Sequence, residues 1–275
     1  MINRVLIRIR VVQILYSCYL SENRDLKKAE NDLLFSLQKS YDLYFYFFQL
    51  LVELTNAYEK KIELAKNKFL PTDEDLNPNT KFLDNQFISV LKNSKDFIDF
   101  FESKPMSWEN NEGVIKNLLE QILTSDIYKN YLEEETSFES DQEFCRKIFK
   151  TFICANETLA DILEEESLYW NDDIEIVESF VLKTIKKITP DEQPFLPMFR
   201  DSEDSEYAIK LLRESMLNVT EYRDLVSKYA TNWESERIAL MDLIIMQIAV
   251  AELVNFPSIP VNVTLNEEVV EKIIL

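Results

Sequence analysis

An all-α fold is what this sequence predicts, and three observations predict it. One glycine in 275 residues leaves little material for the Asn-Gly or Gly-x turns that tight hairpins need. Apolar residues recur at alternating steps of three and four, the helical period. Several helical runs are preceded by Ser or Thr with Glu three residues on, the pattern of a reciprocal helix cap.

The elements follow in order. Residues 4–10 alternate Arg and apolar side chains, which over a short window reads as a strand. Over a longer window Val5, Ile9, Val12, Tyr16 and Tyr19 fall on one helical stripe, with Asn3 placed to cap it. A second, longer helix begins near Leu26. Tyr41, Tyr44, Phe48, Leu51, Thr55, Tyr58, Ile62, Ala65 and Phe69 form a coiled-coil-like seam along it, and Pro71 with the polar run 71–80 ends it. Helices are predicted over 81–101, closed by Ser-Lys-Pro, and over 112–132, where Ile115, Leu118, Leu119, Ile122 and Leu123 share a face.

Ser140 with Glu143 reads as a capping box opening a helix over 141–168, and another helix covers 172–188. Pro190, Pro194 and Pro197 mark a connection whose Phe195, Leu196, Met198 and Phe199 are expected to pack down. Helices over 203–230 and 234–255 follow, the second opened by Thr231 with Glu234. An extended stretch over 256–263, held by two prolines, leads to a last helix capped by Thr264 with Glu267. The count is about nine helices. Composition divides them at the acidic stretch 133–141 into two helical bundles, 1–135 with the first helix and the long-helix region, and 136–275.

Composition excludes most chemistries. With no histidine there is no Ser-His-Asp or Cys-His nucleophile and no imidazole metal site, and a carboxylate-bridged metal pair lacks its Glu-x-x-His ligands. With Gly113 as the lone glycine there is no phosphate-cradling loop and no nucleophile elbow. No catalysis and no cofactor are expected. The acidic runs Asp73-Glu74-Asp75, Glu164-Glu165-Glu166 and Asp172-Asp173 read as solvated surface.

No stretch reaches the ~18 uncharged apolar residues of a membrane span, and arginines interrupt the apolar start where a secretory leader would be. Cys18, Cys145 and Cys154 form no C-x-x-C pair and read as small buried side chains in a reducing compartment, so a cytoplasmic location is expected.

A formal charge of −20 argues against nucleic-acid binding over the whole surface, yet residues 1–16 carry Arg4, Arg8 and Arg10 and no acid. On a helix Arg4 and Arg8 share a face while Arg10 lies about 200° from Arg8. Such arginines can contact phosphates and stack on unpaired bases. They can equally pair with the chain's own abundant acids.

Two segments resemble the NusB family of transcription antitermination factors. The first runs from Arg4 through Arg8, Arg10 and Gln13 to Leu15-Tyr16, similar to the family's Arg-rich first helix ending in Gln-x-Leu-Tyr. The second runs from Trp233-Glu-Ser-Glu-Arg237 through Asp242 to Glu252-Leu253, then Ile259-Pro260 and Asn266-Glu267. It resembles the family's long helix, Ile/Val-Pro turn and Asn-Glu helix start. Phe144 through Trp170 is a weaker match to the family's middle helix, and residues 20–135 look like an added helical region of a long family form.

The resemblance implies an all-α fold and no enzyme activity. It also implies binding to boxA-type leader RNA with ribosomal protein NusE in a transcription elongation complex. By position it assigns phosphate contacts to Arg4, Arg8 and Arg10, places Tyr16 near the RNA, and puts Asp242 at a partner or RNA contact. The family's Lys-bearing helix and closing Phe-x-Asn-Gly helix find no match in the sequence up to Leu275, so both stability and RNA affinity are expected to be lower. A different reading makes the chain an acidic helical scaffold for proteins only, working through the seam at 41–69. A methyltransferase carrying a NusB-like front domain is disfavoured by the missing glycine-rich loop. Arg4 and Arg8 buried in ion pairs favour the scaffold; Arg4 and Arg8 exposed on one rim with Tyr16 favour RNA.

Overall fold

The computed structural model describes residues 1–22, 24–154, 156–229 and 239–266. Among these residues the regular structure is helical, and a lone parallel bridge pairs Ile2 with Phe199. In chain order the helices are α1 (Arg4–Leu20), α2 (Leu26–Lys66), α3 (Asp73–Leu76), α4 (Gln86–Asn93), α5 (Lys95–Ser103), α6 (Glu112–Thr124) and α7 (Asp126–Glu133). They continue as α8 (Phe138–Ile148), α9 (Glu157–Glu166), α10 (Ile174–Ile185), α11 (Ser202–Leu217), α12 (Val219–Tyr229), α13 (Leu240–Asn255) and α14 (Val261–Asn266). Among the described residues none of them is long and apolar enough to cross a membrane.

The described residues hold fourteen α-helices, more than the nine expected, because four of the expected long helices break in two and a short helix, α3, forms in the polar run 71–80. Ser94 divides the 81–101 segment and Ser125 the 112–132 segment. Each sits in extended backbone (ψ 131° and 156°), closing one helix and opening the next. The segment expected as one helix over 141–168 leaves α8 through a wider turn at Phe149–Ile153 and restarts at α9, where the Asn156 side chain accepts from the Leu159 N–H at 3.0 Å. Its start also differs from expectation. Ser137, not Ser140, caps α8, accepting from Ser140 N–H at 3.1 Å, while Glu143 pairs with Arg146 at 2.5 Å. The 203–230 helix breaks at Asn218. The cap pair Thr231/Glu234 and residue Glu267 lie outside the described residues, and Thr264 falls inside α14.

Contacts cluster into two compact units, one of residues 1–39 with 197–275 and one of residues 40–196. The composition-based boundary at 135 lies between α7 and α8, both in the second unit.

The second unit is built on the lower part of α2. Leu43, Tyr44, Phe45, Tyr46, Phe47, Phe48, Leu50, Leu51, Val52 and Leu54 are all buried, so this stretch is enclosed on every side instead of presenting one seam. Phe45 stacks on Phe100 with centroids 4.1 Å apart, Tyr46 on Trp108 at 4.1 Å, and Phe195 packs edge-on against Tyr44 and Phe48. The seam is buried from Tyr44 to Ile62, and Phe69 lies exposed beyond the helix end. It forms this unit's own core and is unavailable as the working surface of a scaffold.

Asp173 departs from the solvated reading of the acidic runs. It is fully buried and accepts from the Ser40 hydroxyl. Of the cysteines, Cys145 is buried and Cys18 and Cys154 are half-buried, all three as free thiols.

Glu178 on α10 is also buried, beside Cys154. Burial pushes its carboxyl up from the ordinary 4.5 to about 7; the Cys154 thiol hydrogen bond opposes the rise and Glu175 adds to it. A folded value above the unfolded one means the native state holds the proton longer. Stability is therefore highest below the unfolded pKa of 4.5 and falls as pH rises toward about 7. Urea titrations should show Glu178→Gln gaining on the parent between about pH 5 and about pH 8. A pH-independent difference between the two would contradict the buried-carboxyl assignment.

Candidate nucleic-acid interface

The first unit assembles α1, α11 and α13 around one buried carboxylate. The Asn3 side chain accepts from the Leu6 N–H at 3.0 Å, so α1 starts where the sequence predicts. Ahead of it Ile2 donates its N–H to Met198 O at 2.7 Å. Along α1, Arg8 is 5% exposed and donates Nε and Nη2 to Glu252 Oε1 at 2.9 and 2.7 Å. The Tyr207 hydroxyl of α11 donates to the same oxygen, and Glu252 itself is 1% exposed. Burial and the neighbouring Glu252 push the Tyr207 phenol upward, keeping it a proton donor, while the nearby Arg8 opposes them.

Farther along, the Tyr19 hydroxyl of α1 donates to Gln247 Oε1 at 2.9 Å. Arg8 against Glu252 and Tyr19 against Gln247 make α1 and α13 antiparallel. The cluster also sets the rotation of α1. Its buried face is Leu6, Ile7, Arg8, Arg10, Val11, Val12 and Leu15, whereas the predicted stripe members Val5, Ile9, Tyr16 and Tyr19 are half-buried. α1 is apolar nearly all round, so periodicity alone offers two stripes, and the Arg8–Glu252 pair selects between them.

The site residues anticipated from sequence therefore separate. Arg8 is locked onto Glu252. Arg10 is 3% exposed and donates Nη1 to Gln13 Oε1 at 2.7 Å. Neither guanidinium lies open to a phosphate. Arg4 has a side chain 39% exposed, rests over the Tyr207 ring at 5.0 Å and approaches Asp204 at 3.4 Å. Asp204 also accepts from the Asp201 N–H at 3.4 Å at the start of α11, where the helix dipole favours an acid. Tyr16 is half-exposed and about 120° around α1 from Arg4.

Asp242 is half-exposed in the first turn of α13, about 15 Å along the helix from Glu252 and toward the end away from Arg4. The structure thus places Arg4 and Asp242 at opposite ends of the α1–α13 pair. Trp233–Arg237 of the second resembling segment falls outside the described residues.

Sequence reading missed the partnership of Glu252 with Arg8 and Tyr207. A signal was present: past Asp242, Glu252 is the one charged residue in α13, and a lone carboxylate in an apolar helix needs a buried partner.

These features define an all-α protein whose basic first helix is clamped to an apolar C-terminal helix. The NusB family model matches residues 183–271, the stretch that holds α11 to α14. The transcription antitermination protein NusB of Caldicellulosiruptor saccharolyticus is 33% identical over 101 residues, covering 37% of this chain and 71% of that protein. The proteins of the same name from Alkaliphilus oremlandii (33% over 69 residues, 25% of this chain and 50% of the relative) and Salinibacter ruber (31% over 74 residues, 27% and 46%) match shorter stretches. The chain belongs to the NusB family, and it spans about half the length of the latter two relatives. No solved structure matches it.

Breaking a buried ion pair from one side leaves an uncompensated charge, which costs roughly 3–5 kcal/mol. Arg8→Met should lower unfolding stability by about that amount in urea titrations. Adding Glu252→Gln, which keeps an acceptor for Tyr207 but removes the charge, should recover part of the loss. A loss under about 1 kcal/mol for Arg8→Met would rule out this pair as the organiser of the unit.

Proposed function

We propose that the chain is an RNA-binding transcription antitermination factor of the NusB kind, with a binding role and no catalytic one. It contacts boxA-type single-stranded RNA together with ribosomal protein NusE. The observation that carries this reading is the side-by-side pairing of α1 and α13, the two segments of family resemblance, by Arg8, Tyr207 and Glu252. In this reading Arg4 supplies a phosphate contact from the rim and Tyr16 a stacking surface for an unpaired base. Arg8 and Arg10 act from inside, as positioning residues that hold α1. Asp242, at the far end of α13, serves the partner contact.

The charge of the chain supports a need for help. A field of −20 repels RNA over most of the surface, and a basic ribosomal protein beside the strand offsets it. The arginine criterion divides: Arg8, buried in its ion pair, counts toward the scaffold reading, and Arg4 is partly exposed but not on one rim with Tyr16; the scaffold reading in turn loses the surface it relied on, because the seam of α2 is buried as far as Ile62.

Fluorescence anisotropy with a boxA-type oligonucleotide, with and without NusE, tests this proposal. Arg4→Gln should weaken binding and reduce the slope of log affinity against log salt by about 0.7, the value for one phosphate contact on a single strand. Tyr16→Ala should weaken binding by about 1–3 kcal/mol with the salt slope unchanged. Unchanged affinity in both variants would remove α1 from the RNA site.

A further inference from the structure

A cleft of about 940 Å³ opens within the first unit, between the C-terminal end of α1, the turn into α2 and the junction of α11 with α12. Leu15, Leu26 and Met216 give its lining an apolar part, and two arginines, Arg24 and Arg223, line it as well. In a chain with 50 acids and 30 bases, neither arginine makes a hydrogen bond or ion pair among the described residues. Arg223 Nε is buried without an acceptor. A guanidinium presents five donors in one plane and no acceptor, and Arg223, half-buried on the cleft, has its terminal nitrogens, not the enclosed Nε, to offer an acceptor that comes from outside.

The surroundings are pre-set. The Arg223 guanidinium lies 5.0 Å above the Tyr19 ring, and Tyr19 is held in turn by Gln247, whose Nε2 donates to Ser215 O at 2.5 Å. The first turn of α12, with Val219 and the Thr220 hydroxyl, opens on the same cleft and brings the positive end of a helix to it. Glu22 and Asp224 also line the cleft and supply acceptors for hydroxyl or amino groups. Arginine donors and a helix start suit an oxyanion, the apolar part of the lining suits a ring, and the two carboxylates suit a sugar. The volume falls in the range of small-molecule sites.

We propose that this cleft binds a nucleoside phosphate, free or as one nucleotide of a single RNA strand. The phosphate lies between Arg24, Arg223 and the start of α12, the base rests on the apolar part of the lining, and the ribose hydroxyls meet Glu22 and Asp224. Arg4 and Tyr16 have no part in it, so failure of their assignment leaves this one intact.

Calorimetric titration of the full chain with adenosine 5′-monophosphate, and separately with a short unstructured RNA, tests the assignment. Each ligand is run against the parent, Arg24→Gln and Arg223→Gln. Loss of one charge-assisted phosphate contact should weaken binding roughly tenfold or more. Arg24 is exposed and its replacement should leave the melting temperature unchanged, which guards against the possible loss of Tyr19 packing in Arg223→Gln. Weakened binding of the mononucleotide supports a free ligand. Weakened binding of RNA alone supports a nucleotide within a strand. If Arg24→Gln leaves the affinity for both unchanged, or if inorganic phosphate displaces the mononucleotide as well as a second nucleotide does, the proposal is overturned.

Discussion

A single oxygen, Glu252 Oε1, organises the first unit. A carboxylate removed from water costs several kcal/mol unless a cation and hydrogen-bond donors meet it there. Arg8 and Tyr207 meet it, from two other helices. Because three elements must converge on one oxygen, none can rotate or slide alone without stranding the charge. α1 is where this matters most. Its side chains are apolar on nearly all sides, so hydrophobic burial leaves its rotation weakly determined, whereas a guanidinium donating two N–H groups to one carboxylate oxygen is directional. The direction it selects leaves Arg10 buried on the other side of α1 from Arg8 and Arg4 at the edge.

That constraint changes what a basic helix means in an acidic protein. Three arginines in the first sixteen residues suggest a patch of positive charge, but two of them are enclosed. Of the arginines of α1 only Arg4 then reaches the surface, at one end of the helix, and Arg24 with Arg223 stand near the other. These ends are separated by most of a seventeen-residue helix, about 25 Å at 1.5 Å per residue. An extended single strand can span such a distance.

Much of the fold was legible because helix period and cap chemistry are local. Asn3 caps α1 as its sequence predicts, and the α2 pattern buries from Tyr44 to Ile62. What the sequence could not show was where polar residues act as corners and which charges are internal. Ser94 and Ser125 are unremarkable in a helical pattern, and only the extended backbone at each reveals a break. Asp173 sits in an acidic run yet is buried against Ser40, a pairing across more than a hundred residues that no window can see. The candidate site divided in the same way. Arg4, Arg8 and Arg10 look alike in sequence, and their different fates are decided by Glu252, Tyr207, Asp204 and Gln13.

The scarcity of glycine has a structural counterpart at these corners. A helix commonly ends through a left-handed residue, which glycine adopts without penalty, and this chain has one glycine to use. Ser94 and Ser125 avoid the need. Each leaves the right-handed region for extended backbone, and Ser125 then caps the following helix with its own side chain. Asn156 also caps a following helix, as Asn3 does for α1. The one left-handed residue that is not glycine among the described residues is Glu22, with φ 53°, directly after α1. A side chain there costs about 1–2 kcal/mol that glycine would spare. The Glu22 carboxylate lines the cleft that holds Arg24 and Arg223, where the proposed ligand would offer it a hydroxyl.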